Sequence, residues 1–127
     1  MKKNGLTNKT LFLMLKKEET GLQDSDVSDI IGVITRNDKI NQVILFGSRA
    51  KGTYHTGSDI DIALSGNGLN TDDIIDLMNE LEELYLPYKF DLLILERIKE
   101  IELLAHISRV GKVLYDKNKS CTQQREA

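Results

Sequence analysis

The chain has 127 residues, 40% of them hydrophobic and 29% charged, with a formal net charge of −3. That composition fits one ordinary globular domain and excludes a membrane span, a disordered chain and a second substrate domain. A mildly acidic total also argues against a broad, sequence-independent grip on nucleic acid, although a local basic patch such as Arg49 with Lys51 survives it.

Residues 1–20 carry Lys2, Lys3 and a weak helical pattern through Leu11, Met14 and Leu15, too short to cross a bilayer and without an export cleavage site. They are expected to be a weakly helical or flexible extension. Met14 stands just ahead of the body, so a translation start there would make the segment dispensable; the mass of the natively expressed protein distinguishes the two. The domain itself is expected over 21–116. Val27, Ile30, Ile31 and Ile34 follow helical spacing, with Asp24 or Ser25 available as N-cap and an end near Asn37. Val43–Phe46 and Asp59–Leu64 read as strands, joined by a Gly-rich segment.

Thr71 with Asp72 and Asp73 starts a helix whose apolar stripe is Ile74, Leu77, Met78 and Leu81, and Pro87 blocks its continuation. The acidic run Glu80, Glu82, Glu83 is its wet face. Lys89–Leu95 is a third apolar strand carrying one acidic residue, Asp91. Ile98, Ile101, Leu104 and Ile107 mark another helix, and Lys112–Tyr115 is a short edge strand. Residues 117–127 are expected to be a disordered polar tail. It holds Cys121, the single cysteine, which suits a reducing cytoplasm. The element order predicts an α+β fold, an α/β sandwich with a small mixed sheet flanked by helices.

The chemistry concentrates in Gly47–Ile62, GSRAKGTYHTGSDIDI. In an extended strand Asp59 and Asp61 project to one face, roughly 6–7 Å apart at the backbone, while Ile60 and Ile62 face the other way. Such a pair also arises by chance at sheet edges. Its position adds weight: the preceding strand ends in Gly47 and Ser48, whose free amides and hydroxyl can face a phosphate, and Arg49 can open a short helix with an anion-favouring N-terminus. Asp91 is expensive to bury unless it meets a cation or a proton. Hard oxygen ligands without nearby cysteine select Mg²⁺ or Mn²⁺, which bind habitually through carboxylates and substrate phosphates. His55 reads as a solvated loop residue and His106 as a surface or partner contact, since no second histidine accompanies it.

The pattern Gly47, Ser48, Asp59, Asp61 and Asp91 resembles the polymerase-β-like nucleotidyltransferase superfamily, and GSRAKG with GSDIDIAL is similar to its minimal branch. LPYKFDLL at Leu86–Leu93 and HISRVGKVLY at His106–Tyr115 are similar to the small catalytic subunits of two-component systems whose partner is an all-helical HEPN-type subunit. The resemblance implies a nucleotidyltransferase fold and two Mg²⁺ ions held by Asp59 and Asp61. Asp91 would complete one metal site and help deprotonate an acceptor hydroxyl. Gly47 and Ser48 would bind the β and γ phosphates of ATP or another nucleoside triphosphate, with Arg49 and Ser58 in the same nucleotide-binding set. Lys51 either neutralises phosphate or is solvated. The implied reaction is AMP transfer to a hydroxyl, in related systems a tyrosine of the HEPN toxin, which would make this chain an antitoxin in a hetero-oligomer. Two alternatives stay open: a non-catalytic subunit that inhibits a helical partner, and a transferase acting on a small, antibiotic-type molecule. Exposed apolar residues around Tyr85, Leu86 and Tyr88, if they form one patch, would favour a partner surface.

Overall fold

The computed structural model describes residues 20–118. The expected extension of 1–20 with its Met14, and the tail of 117–127 with Cys121, therefore lie outside the described residues except at Thr20, Lys117 and Asn118. Helix α1 (Asp24–Ile34) leads into strand β1 (Ile40–Phe46), the short helix α2 (Gly47–Lys51) and β2 (Ile60–Gly66). Helix α3 (Thr71–Glu82), β3 (Phe90–Ile94), a 3₁₀ turn (Leu95–Arg97), α4 (Ile101–Val110) and β4 (Lys112–Asp116) complete the order. The sheet runs β3-β2-β1-β4. Its β1 is antiparallel to both β2 and β4, whereas β2 and β3 are parallel, so the expected small mixed sheet is present.

Strand alternation divides the core into two faces. Val43 and Leu45 of β1, Ile60, Ile62 and Leu64 of β2, and Leu92 and Ile94 of β3 pack against Val27, Ile30 and Ile34 of α1 and Leu77 and Leu81 of α3. Each such side chain contributes about 1.5–3 kcal/mol when fully buried. The opposite face is smaller: Ile44, Phe46 and Ala63 meet Ile107 of α4, with Leu93, Leu95, Ile98 and Leu103 around them. Asp61 and Asp91 share the parity of Ala63 and Leu93, so they extend this second face past its apolar patch.

Three local expectations shift. Helix α1 is capped by Gln23 without a side-chain bond, not by Asp24 or Ser25, and it ends at Ile34, with Asn37 closing a turn to the Ile34 carbonyl. Helix α3 begins where expected, but its cap is Asn70, which accepts from the Asp73 amide while Asp73 accepts from the Asn70 amide. Helix α4 turns a different face inward. Ile101 is 81% exposed and Leu104 37% exposed, and the inward side chains are Leu103, His106, Ile107 and Val110. A run at strict three-residue spacing drifts about 60° backwards per step, so it cannot stay on one face over three steps, whereas 103, 107 and 110 alternate four and three and do.

Candidate functional site

Asp61 is the Cα partner of Asp91 in the parallel β2–β3 ladder and of Phe46, the last residue of β1, in the antiparallel β1–β2 ladder. Neighbouring strands stand about 4.8 Å apart, so register alone brings the two carboxylates side by side. Asp59 lies just ahead of β2 rather than within it, and it is exposed, as is Asp91; Asp61 is half-buried. Burial, then the charge of Asp91, then that of Asp59 raise the Asp61 carboxyl above its ordinary value. Three like charges thus meet at one end of two strands, an arrangement that favours a cation or a proton. As the side chains stand, no three His, Cys, Asp or Glu among the described residues close into a metal-ligand cage. The donor set is nevertheless all hard oxygen and fits Mg²⁺ or Mn²⁺ by its chemistry.

The turn leaving β1 leans over this cluster. Gly47 has φ 75°, and a methyl group added there would run into the Asp61 carboxylate, with Cγ at 2.9 Å and Cβ at 3.2 Å. Only glycine combines that backbone with that close approach. One expectation needs correction here: the Gly47 amide is not free, because it donates to His106 Nε2 at 3.1 Å. The imidazole stands edge-on to Phe46, with ring centroids 6.2 Å apart. His106 is half-buried and neither a surface residue nor remote from the site. Sequence reasoning set it aside because no second histidine accompanies it; the four-three pattern of Leu103, Ile107 and Val110, which turns this side of α4 inward, was the signal available.

The other residues expected to bind nucleotide divide. Ser48, next to Gly47, is half-buried on the same turn, and Lys51 is exposed at the end of α2. Arg49 is 3% exposed and directed inward. Its Nε and Nη2 donate to the Ser58 carbonyl at 3.2 and 3.0 Å, and its Nη1 donates to the Thr20 carbonyl at 2.9 Å. The guanidinium lies between Tyr54 and Tyr88, 5.3 and 5.2 Å from the ring centroids. Arg49 therefore fastens the loop that carries Asp59 to the start of the body, and this burial keeps its charge from the open face of the turn. Ser58 is buried too, its hydroxyl accepting from the His55 amide at 2.9 Å. His55 is exposed, as expected.

Away from the carboxylates, a groove of about 740 Å³ runs between the end of α3 and β3, lined among others by Met78, Tyr85, Leu86, Tyr88 and Phe90. Tyr85 is 90% exposed and holds φ 54°, a left-handed conformation uncommon for a residue with a side chain. The residues expected to form one apolar patch do line one groove. No helix among the described residues is long and apolar enough to cross a membrane.

Comparison with known proteins agrees with this geometry. A family model described as polymerase beta, nucleotidyltransferase, matches residues 28–120. No curated protein matches the chain. Among solved structures, a toxin–antitoxin complex with AMP-PNP contains a chain 22% identical, covering 83% of this chain and 86% of its own, at a TM-score of 0.60. A tri-AMPylated Shewanella oneidensis HEPN toxin in complex with MNT antitoxin gives 21% identity, 83% and 86% coverage and a TM-score of 0.59. The toxin–antitoxin MntA–HepT gives 22%, 82% and 86%, and 0.57. At these identities the likeness is one of fold.

Proposed function

The chain belongs to the polymerase-β nucleotidyltransferase family, and on that premise we propose that it transfers a nucleoside monophosphate, AMP from ATP, to a hydroxyl with release of pyrophosphate. The observation that carries this reading is the meeting of Asp59, Asp61 and Asp91 beside the glycine turn of Gly47. Asp59 and Asp61 would hold two Mg²⁺ ions, or Mn²⁺, with Asp91 completing one site. When bound, such ions supply positive charge to the attacking and leaving oxygens of an in-line displacement. Asp91 takes the acceptor proton as the acceptor oxygen bonds to the α-phosphorus. The bond from that phosphorus to its bridging oxygen breaks, and pyrophosphate leaves with the electron pair. Ser48, through its hydroxyl and amide, holds the departing phosphates. Lys51, exposed at the end of α2, is available to offset their charge.

The acceptor in this reading is a tyrosine of a helical HEPN-type partner, and the chain acts as its antitoxin in a cytoplasmic hetero-oligomer. Support comes from the similar folds described as toxin–antitoxin complexes, one with an AMPylated toxin. The groove beside Tyr85 offers the partner a surface, and the acidic residues Glu82 and Glu83 near it favour basic side chains opposite. That same groove favours a second reading, in which binding alone neutralises the partner. The experiment incubates the chain with the helical product of its neighbouring gene, Mg²⁺ and α-labelled ATP. Transfer predicts covalent label on a partner tyrosine, lost in Asp59→Asn. An unlabelled partner, with Asp59→Asn neutralising it as well as the wild type, defeats transfer in favour of binding.

A further inference from the structure

Glycine visits positive and negative φ about equally readily, so the sequence of the turn does not by itself hold Gly47 at 75°. Something outside the turn must select that conformation, because Gly47 lies against the Asp61 carboxylate and sets the direction of Ser48. The Gly47 amide donates a 3.1 Å bond to His106 Nε2, contributed from 59 residues away. His106 is itself well fixed. Its neighbours Leu103 and Ile107 pack on Ile44 and Phe46, and its ring meets Phe46 at an interplanar angle of 80°. Acceptance at Nε2 assigns the proton of the neutral imidazole to Nδ1.

We propose that His106 is a positioning residue of the transfer site: by holding the Gly47 N–H it fixes the turn over Asp61 and aims Ser48, not Gly47, at the phosphates. The role rests on the nucleotidyl-transfer reading above. Two consequences follow for the division of labour. Gly47 is needed for its missing side chain rather than for its amide, whose proton is already bonded. Helix α4, although it carries none of the three carboxylates, sets the alignment of the site. Misplacement by about 1 Å can cost on the order of 100-fold in rate, so a modest loosening of this turn has a large expected effect.

The test pairs two variants with one spectroscopic measurement. His106→Leu removes the acceptor, whereas His106→Gln retains an oxygen able to accept from Gly47. Loss of the bond predicts a kcat about 10- to 100-fold lower in His106→Leu, with a smaller change in KM for ATP. His106→Gln should recover most of the rate. In ¹⁵N-labelled wild type, an N–H···N bond gives a scalar coupling between the Gly47 and His106 Nε2 nitrogens, absent in both variants. No coupling overturns the proposal. So does a His106→Leu enzyme with wild-type kcat, or a His106→Gln enzyme no better than His106→Leu. A wild type that transfers nothing overturns the functional reading and the positioning role with it, while the coupling still decides whether His106 holds the turn.

Discussion

Gly47→Ala tests whether the site is built around the absence of a side chain. The substitution carries two separable costs. At φ 75° an L-residue pays about 1–2 kcal/mol for the left-handed conformation. The added methyl then displaces the Asp61 carboxylate, an overpacking cost of about 1–3 kcal/mol. Reduced freedom of the unfolded chain returns about 0.4–1 kcal/mol, leaving a net loss of about 1–4.5 kcal/mol. Gly57→Ala is the control: φ there is 96°, but a methyl would meet nothing within 4 Å, so the backbone strain appears without the clash. Urea unfolding should show Gly47→Ala about 1–3 kcal/mol less stable than Gly57→Ala. In an Asp61→Ala background most of that excess should vanish, though not all, because the Asp61 Cβ lies 3.2 Å from the new methyl. Transfer activity should fall in Gly47→Ala and survive in Gly57→Ala. Equal stabilities for the two glycine variants, or an excess unchanged in the Asp61→Ala background, would refute the reasoning.

Three further predictions follow from the same contacts. Asp61 has its carboxyl raised by burial and by Asp91 and Asp59, so the folded, metal-free state binds more protons than the unfolded chain between the ordinary and the raised value. Its stability should fall as pH rises through that window; Asp61→Asn should melt higher than wild type at pH 7 in chelator, with the gap closing in acid, while losing transfer. Arg49→Lys should cost about 2–3 kcal/mol in chemical denaturation, because one ammonium cannot serve both the Thr20 and Ser58 carbonyls and stack between two tyrosines. An unchanged unfolding midpoint would argue that Arg49 is not the fastening described. Tyr85→Gly should raise the stability of the free chain by up to about 1 kcal/mol by relieving the left-handed backbone at 54°. It should weaken binding to the proposed helical partner, measured by calorimetry; unaltered affinity would remove Tyr85 from the proposed partner surface.

Much of the architecture was written in short-range pattern. The period-two alternation through Ile60, Asp61 and Ile62 determined which side chains share a face, because a strand cannot do otherwise. Asp91 announced itself as a charge inside an apolar run. Glycine at the end of a strand marked the turn, and Thr71 with Asp72 and Asp73 marked the start of α3, although the residue that caps it is Asn70. These are local properties, fixed by the backbone within a few residues.

Partnership across the chain was not local, and the tertiary structure decided it. Alternation says which face Asp91 takes, but only the parallel β2–β3 register makes it the neighbour of Asp61, 30 positions earlier. The exposed or buried fate of Arg49 depended on carbonyls at Thr20 and Ser58, and a motif that reads as a phosphate contact became a fastening once those acceptors closed around it. His106 illustrates the same limit, since an isolated histidine on a helix carries no information about the amide it will meet. The sequence by itself determined the carboxylates and the glycine turn. Packing decided what surrounds them, because desolvation and hydrogen-bond satisfaction are set by atoms that the chain brings together only after it has folded.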